Sequence, residues 1–304
     1  MLKEWYIASR PWSLTAAIIP ILVGAGYAWW ATDEFRPLLF VLTLIGGILI
    51  QAGTNYINTY GDYMKGVDTI ETAPMCPQLV TGAMKPQTMK MVGIACFAVA
   101  AAIGIVLCFL VGWPLLVVGI IGVLGGYSYT AGFSYKYSGL GTIFVFFLMG
   151  PLMVWGAYFV QTGAHSWPVV LVSLPVAFLV SSILHANDLR DLEFDQKSGI
   201  KTLATIINSS FNYTLYYLLI SAAYAGAALL ITFGVLPLEC LLIFLTLPLG
   251  IGMIRQCRAG QQGNREKLEM LLPKSAQFHF QFGLVYFVGL LIAMLVQYLD
   301  LGLW

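Results

Sequence analysis

Residues 37–68 read PLLFVLTLIGGILIQAGTNYINTYGDYMKGVD, and this stretch decides the fold. Pro37–Asn58 is apolar and long enough to cross a bilayer, which takes about 20 mostly apolar residues. It then runs straight into Asn58, Asp62 and Asp68. Residues 169–195, VVLVSLPVAFLVSSILHANDLRDLEFD, repeat the construction: an apolar run leads into Asn187, Asp188, Asp191 and Asp195. Carboxylates at a membrane face are costly and mark function.

Working outward, 59% of the 304 residues are hydrophobic and 10% are charged, against roughly 25% charged in soluble domains. The chain reads as an all-α polytopic membrane protein. Spans are expected at Trp12–Ala31, Pro37–Asn58, Met89–Gly112, Pro114–Gly132, Leu140–Gln161, Val169–Asn187, Phe211–Phe233, Leu238–Ile254 and Phe278–Leu299. They would form nine transmembrane helices around a central cavity opening to the cytoplasmic side, within one domain over residues 1–304. Its pseudo-repeat halves would be about 12–132 and 140–254, followed by the ninth helix at about 278–299. Met1–Arg10 reads as an amphipathic lead, and the run from Trp12 as a first span rather than a signal peptide.

With these spans, 14 of the 15 basic residues fall on one face and only Arg36 on the other. By the positive-inside rule that face is cytoplasmic, so the N-terminus and the acid clusters point to the cytoplasm from an inner or plasma membrane. A net charge of +1 gives no reason to expect a nucleic-acid partner. The five scattered cysteines form no Cys-x-x-Cys pair and read as packing residues.

On a helix, positions i, i+4 and i+8 share a face. Asn187, Asp191 and Asp195 meet that condition, with Asp188 beside them, and Asn58 and Asp62 do so on the earlier segment. Asp68 lies roughly 240° out of phase at 3.6 residues per turn, so it joins them only if the helix breaks, for which Gly66 is the place. Grouped carboxylates repel one another unless a cation intervenes. Magnesium binds through a few carboxylates together with phosphate oxygens and water. Asn58, Asp62, Asp68, Asn187, Asp188, Asp191 and Asp195 are therefore the candidate metal ligands, holding Mg2+ around a diphosphate.

Lys201 and Lys136 are candidate diphosphate-binding cations, and Tyr129 is the tyrosine expected to face the site. Tyr127, Tyr135 and Tyr137 read as an interfacial belt. His185 reads as packing.

On these residues the chain resembles the UbiA superfamily of intramembrane prenyltransferases. Asn58, Asp62 and Asp68, Asp191 and Asp195, and Gly199-Ile200-Lys201-Thr202 carry the likeness. Within it the chain is most similar to the MenA branch, which prenylates 1,4-dihydroxy-2-naphthoate toward menaquinone. Arg10-Pro11, the stretch from Gln51 to Asp68, and the segment from His279 to Gly283 support that branch. The chain departs from it in carrying Thr59 where the branch has an aspartate, and in a 71–78 segment without arginine.

The resemblance implies transfer of a polyprenyl group from polyprenyl diphosphate to an aromatic acceptor. Asp62, Asp68, Asp191 and Tyr129 would be catalytic, and the isoprenoid tail would lie among membrane lipid. Related branches use 4-hydroxybenzoate, a haem or chlorin, or an archaeal lipid as acceptor. An ion-coupled transporter is disfavoured, because the acids sit at span ends rather than mid-span. A CDP-alcohol phosphotransferase is disfavoured because its Asp-Gly-x2-Ala-Arg opening is missing.

Overall fold

Every described element is helical, apart from an isolated bridge between Ser138 and Lys201. The computed structural model describes residues 2–70, 73 and 75–299. A short lead helix, α1 (Leu2–Ala8), precedes α2 (Thr15–Thr32), α3 (Pro37–Met64), α4 (Pro86–Leu110) and α5 (Pro114–Tyr127). Then come α6 (Gly141–Thr162), α7 (Pro168–Lys197), α8 (Ser209–Thr232), α9 (Leu238–Gln261) and α10 (Leu271–Tyr298). Proline opens α3, α4 and α5 at the first turn, where its missing N–H would be unsatisfied anyway. Inside α6, Pro151 falls in a π-helical turn over Leu148–Leu152, a local widening that accommodates the lost hydrogen bond.

Eight of the described helices are long and apolar enough to cross a membrane, not the nine expected. The expected fourth span, Pro114–Gly132, is helical only over the 14 residues of α5, about 21 Å at 1.5 Å per residue. Its tail folds back instead, because Tyr135 N–H donates to the Ser128 carbonyl at 3.1 Å and Lys136 N–H to the Tyr129 carbonyl at 3.0 Å. Other helices outrun their apolar segments. α3 continues past Asn58 to Met64, and α7 continues through the whole acid cluster to Lys197. The segments that follow these expected spans are thus partly helical, because the acids turn toward a protein-lined cavity and the backbone keeps its internal bonds.

α3 and α7 end in the same way. Gly66, at φ 71°, bonds back to Tyr63, and Val67 N–H reaches the Asp62 carbonyl at 2.9 Å. Gly199, at φ 68°, bonds back to Gln196, and Ile200 N–H reaches the Asp195 carbonyl at 2.9 Å. Both are left-handed glycine caps of the Schellman type. They place Asp62 and Asp195 at matching positions, one helical turn away from the pairing of Asp62 with Asp191 that the motif spacing suggests.

Neighbouring helices close a ring: α3 packs on α4, α4 on α5, α5 on α6, α6 on α7, α7 on α10, α10 on α2, and α2 back on α3. α8 and α9 brace the outside, α8 against α7 and α9 against α10. The largest buried cluster lies on that side, around Tyr216, Phe278, Phe282 and Tyr286. Between α2 and α6 the backbones nearly touch. A Cβ on Gly24 would run into the Val154 carbonyl oxygen and lie 2.9 Å from Ala157 Cβ. Backbone cannot swing aside as a side chain can. Gly24→Ala is therefore expected to destabilise the protein by about 1–3 kcal/mol, seen as a lower thermal midpoint in detergent. An unchanged midpoint would contradict this packing.

Candidate active site

The ring encloses a cavity of ≈ 610 Å³. Its deeper walls are apolar, with Ile21, Ile103, Leu107 and Leu152 among the lining side chains, and the acids line it at one end. α3 contributes Gly47, Ile50, Gln51, Thr54, Asn55, Asn58 and Asp62. That spacing is one helical face. α7 contributes Asn187, Asp188, Arg190, Asp191, Phe194 and Asp195, again one face. Asp68 reaches the same cavity beyond the Gly66 break.

On the α3 side, Asp62 is fully engaged. Lys136 Nζ lies 2.7 Å from Asp62 Oδ2, Asn58 Nδ2 donates to the same oxygen at 2.9 Å, and the Tyr137 hydroxyl donates to Oδ1. The Lys136 and Asp62 side chains are 14% and 4% exposed. Burial opposes the lysine charge, yet Asp62 and the adjacent Tyr137 hold its pKa above the ordinary value. Burial and the nearby Asp62 push the Asp68 carboxyl up to about 6, with Arg10 and Lys136 pulling the other way. Lys65 stands 4.0 Å from the Tyr137 ring and bonds the Thr130 carbonyl and the Ser134 hydroxyl, fixing the turn that carries Lys136 and Tyr137.

Arg10 was legible only as part of a short lead and a family signature, yet it lines the cavity. Its Nη1 donates to Asn58 Oδ1 at 2.8 Å and its Nη2 to Thr59 Oγ1 at 3.1 Å. The residue holds a left-handed backbone, φ 51°, uncommon for a side chain with a Cβ. The Arg10 carbonyl accepting from Ser13 N–H at 2.8 Å fixes that turn. Thr59 Oγ1 also lies 3.4 Å from Cys76 Sγ. The polar substitution at Thr59 therefore sits in a bonded cluster with Arg10. Of the arginine-free 71–78 segment, Glu71, Thr72 and Pro74 lie outside the described residues.

On the α7 side the acids divide. Asp191 is clamped bidentately by Arg190 at 2.8 and 2.6 Å, and the same guanidinium bonds Asn187 Oδ1 at 3.0 Å. Arg190 Nη1 also reaches Met75 Sδ at 3.8 Å, linking the two motif regions. Asp188 and Asp195 are 4% and 6% exposed. Among the described residues neither side chain has a hydrogen bond or ion pair. Two buried acids with no hydrogen bond or ion pair among the described residues suit a bound cation.

That donor chemistry fits magnesium. The cavity offers hard oxygen donors from both helices, and two of the acids have no hydrogen bond or ion pair among the described residues. Among the described residues no three His, Cys, Asp or Glu side chains are gathered into a ready-made cage. Magnesium does not need one, since it takes one or two carboxylates and completes its shell with phosphate oxygens and water.

The structure brings together Asn58, Asp62, Asp68, Tyr129, Lys136, Asn187, Asp188, Asp191 and Asp195, all on one cavity wall or another. It does not bring Lys201 there. That side chain is exposed, and the residue's backbone carbonyl accepts from Gly139 N–H at 2.9 Å, tying the Lys136 turn to the end of α7. Lys201 thus stands outside the cavity lining, unlike the other expected site residues. Tyr135 and Tyr137 are not a lipid belt: Tyr135 is 3% exposed and stacks on Phe144, and both line the cavity. His185 is buried and its Nε2 lies 2.8 Å from the Asn212 carbonyl.

Residues 17–282 match the UbiA prenyltransferase family. The chain is similar to the 1,4-dihydroxy-2-naphthoate octaprenyltransferase of Bacillus subtilis (strain 168), 31% identical over 288 residues, covering 94% of this chain and 91% of that protein. It is similar to UbiA prenyltransferase domain-containing protein 1 of Homo sapiens, 29% identical over 293 residues, covering 95% of this chain and 84% of the relative. The solved structure of a UbiA homolog from Archaeoglobus fulgidus bound to GPP and Mg2+ matches in fold with a TM-score of 0.58 at 16% identity, over 93% of this chain and 99% of that one.

Proposed function

The chain belongs to the UbiA prenyltransferase family, and from that premise we propose that it transfers a polyprenyl group from polyprenyl diphosphate to an aromatic acceptor, 1,4-dihydroxy-2-naphthoate, on the path to menaquinone. The observation that carries this reading is a pair of buried acids without hydrogen bond or ion pair among the described residues, Asp188 and Asp195, in one cavity with Asp62 and Lys136. The acceptor is taken from the Bacillus subtilis relative, which carries that activity in its name.

Asn58, Asp62 and Asp68 from one side, and Asn187, Asp188, Asp191 and Asp195 from the other, would hold magnesium. When bound, it would act as a Lewis acid on the diphosphate oxygens. Lys136, already charged and oriented by Asp62, neutralises the departing diphosphate as the C1–O bond breaks. The apolar walls take the isoprenoid tail and keep water from the allylic cation. Tyr129 lines the same cavity and offers an aromatic face to that cation. The electron-rich acceptor ring then attacks C1 through the carbon bearing its carboxylate. Carbon dioxide leaves as the C–C bond forms, which restores aromaticity without a base at that carbon.

The bias of basic residues supports an integral inner- or plasma-membrane location, with the N-terminus and the cavity mouth cytoplasmic.

The test is transfer from labelled polyprenyl diphosphate to a panel of aromatic acceptors in washed membranes. Dihydroxynaphthoate is expected to be prenylated with release of carbon dioxide. Stripping divalent ions with EDTA should abolish the product and added magnesium should restore it. Full activity in excess EDTA would refute the metal assignment, and prenylation of 4-hydroxybenzoate alone would refute the acceptor.

A further inference from the structure

Gln51 plays no part in the chemistry above, yet it stands in the same cavity. It lies on the lining face of α3, one turn below Asn55 and about 16 Å below Asp62 along the helix. Its side chain is 8% exposed, and its Oε1 is buried without a partner. The amide makes no hydrogen bond among the described residues.

A primary amide has two donors and two acceptor lone pairs, and leaving all of them empty in an apolar wall is unfavourable. The side-chain donors of the next polar residues along α3 are already committed. Asn55 Nδ2 donates to the Ser9 carbonyl at 2.7 Å and to Ser13 Oγ at 2.8 Å. The Thr54 hydroxyl donates to the Ile50 carbonyl at 2.8 Å. Gln51 is thus a neutral hydrogen-bonding group without a partner among the described residues, in a cavity whose lining also includes Ile50, Trp12 and Ala16.

The chemistry of that position selects among the molecules the cavity would hold. An isoprenoid tail has no hydrogen-bonding atom to offer an amide. A diphosphate calls for charge, which is supplied at the Asp62–Lys136 end. A flat aromatic ring with a hydroxyl on its edge satisfies both the apolar wall and the amide.

We infer that Gln51 is a specificity-determining residue for the acceptor, its amide bonding a ring hydroxyl and holding the ring below the diphosphate end. The inference rests on the acceptor being hydroxyaromatic, as proposed above. A site that hydrogen-bonds a substrate hydroxyl discriminates strongly against an analogue lacking it.

The test is equilibrium binding to the purified full chain, without turnover, so that it is independent of prenyl transfer. The probes are 1,4-dihydroxy-2-naphthoate under anaerobic conditions, 2-naphthoate without the ring hydroxyls, and geranyl diphosphate with magnesium. Gln51→Leu and Gln51→Met fill the space with no polar atom, so both should fold at least as stably as the parent. Each is expected to weaken the dihydroxy probe about tenfold, leaving 2-naphthoate and geranyl diphosphate unchanged. Unaltered affinity for the dihydroxy probe, or an equal loss for all three, would overturn the inference. Parent protein that binds the dihydroxy probe through Gln51 but never prenylates it would support this inference and remove the catalytic reading instead.

Discussion

Asp195→Asn should lower prenyl transfer by about a hundred- to a thousandfold, the range for losing one electrostatic contact to a transition state, while the protein stays as stable as before or becomes more so. The carboxylate is 6% exposed and has no partner among the described residues. In the protein alone it is therefore a source of strain, and the isosteric amide relieves it. Activity and stability should move in opposite directions, a pattern that a structural acid would not produce. Thermal midpoints in detergent and rates with saturating magnesium measure the two sides. A variant that unfolds, or one that transfers at the parental rate, would remove Asp195 from the site. Asp188→Asn should behave in the same way, since Asp188 is 4% exposed and likewise has no hydrogen bond or ion pair among the described residues.

Lys136→Met should give the contrary pattern, with both stability and activity lost. Here the charge is paired: Nζ stands 2.7 Å from Asp62, and the two side chains are 14% and 4% exposed. Removing the ammonium leaves a buried carboxylate whose remaining side-chain partners among the described residues are Tyr137 and Asn58. Breaking a buried pair in this way typically costs about 3–5 kcal/mol. The double variant Asp62→Asn with Lys136→Met removes both charges and should recover most of the stability while remaining inactive. If the single variant melts at the parental temperature, the pair is not the buried contact described; if it also turns over normally, Lys136 does not serve the diphosphate.

How much of this was legible beforehand differs from residue to residue. The two acid motifs could be read because carboxylates beside long apolar runs are costly and rare. Gly66 could be read as a helix break because Asp68 otherwise falls out of phase. Arg10 carried only a family signature together with Pro11: by its own chemistry it is one more basic residue at a membrane edge. Its place beside Asn58 and Thr59 depends on a left-handed turn that composition does not encode. Lys201 is the converse case. It follows Gly199 in a motif-like setting, but the cap that ends α7 makes its backbone, not its ammonium, the useful part. The tyrosines near residue 130 looked like a lipid belt because belts are common, and only the fold-back of residues 128–136 turns Tyr135 and Tyr137 inward.

The length of the apolar runs and the price of charge in lipid were enough to read an all-helical membrane chain and its two acid-bearing segments, and the motifs on those segments carried the family resemblance. Both are local quantities, read residue by residue along the strand of the sequence. The tertiary structure alone decided where α3 and α7 stop, which acids have partners and which do not, and that Arg10, Gln51 and Tyr137 share the cavity. Those depend on which backbone groups and charges meet across helices distant in sequence. Hydropathy registers where the apolar run ends, but a helix ends only where its hydrogen bonds find a cap.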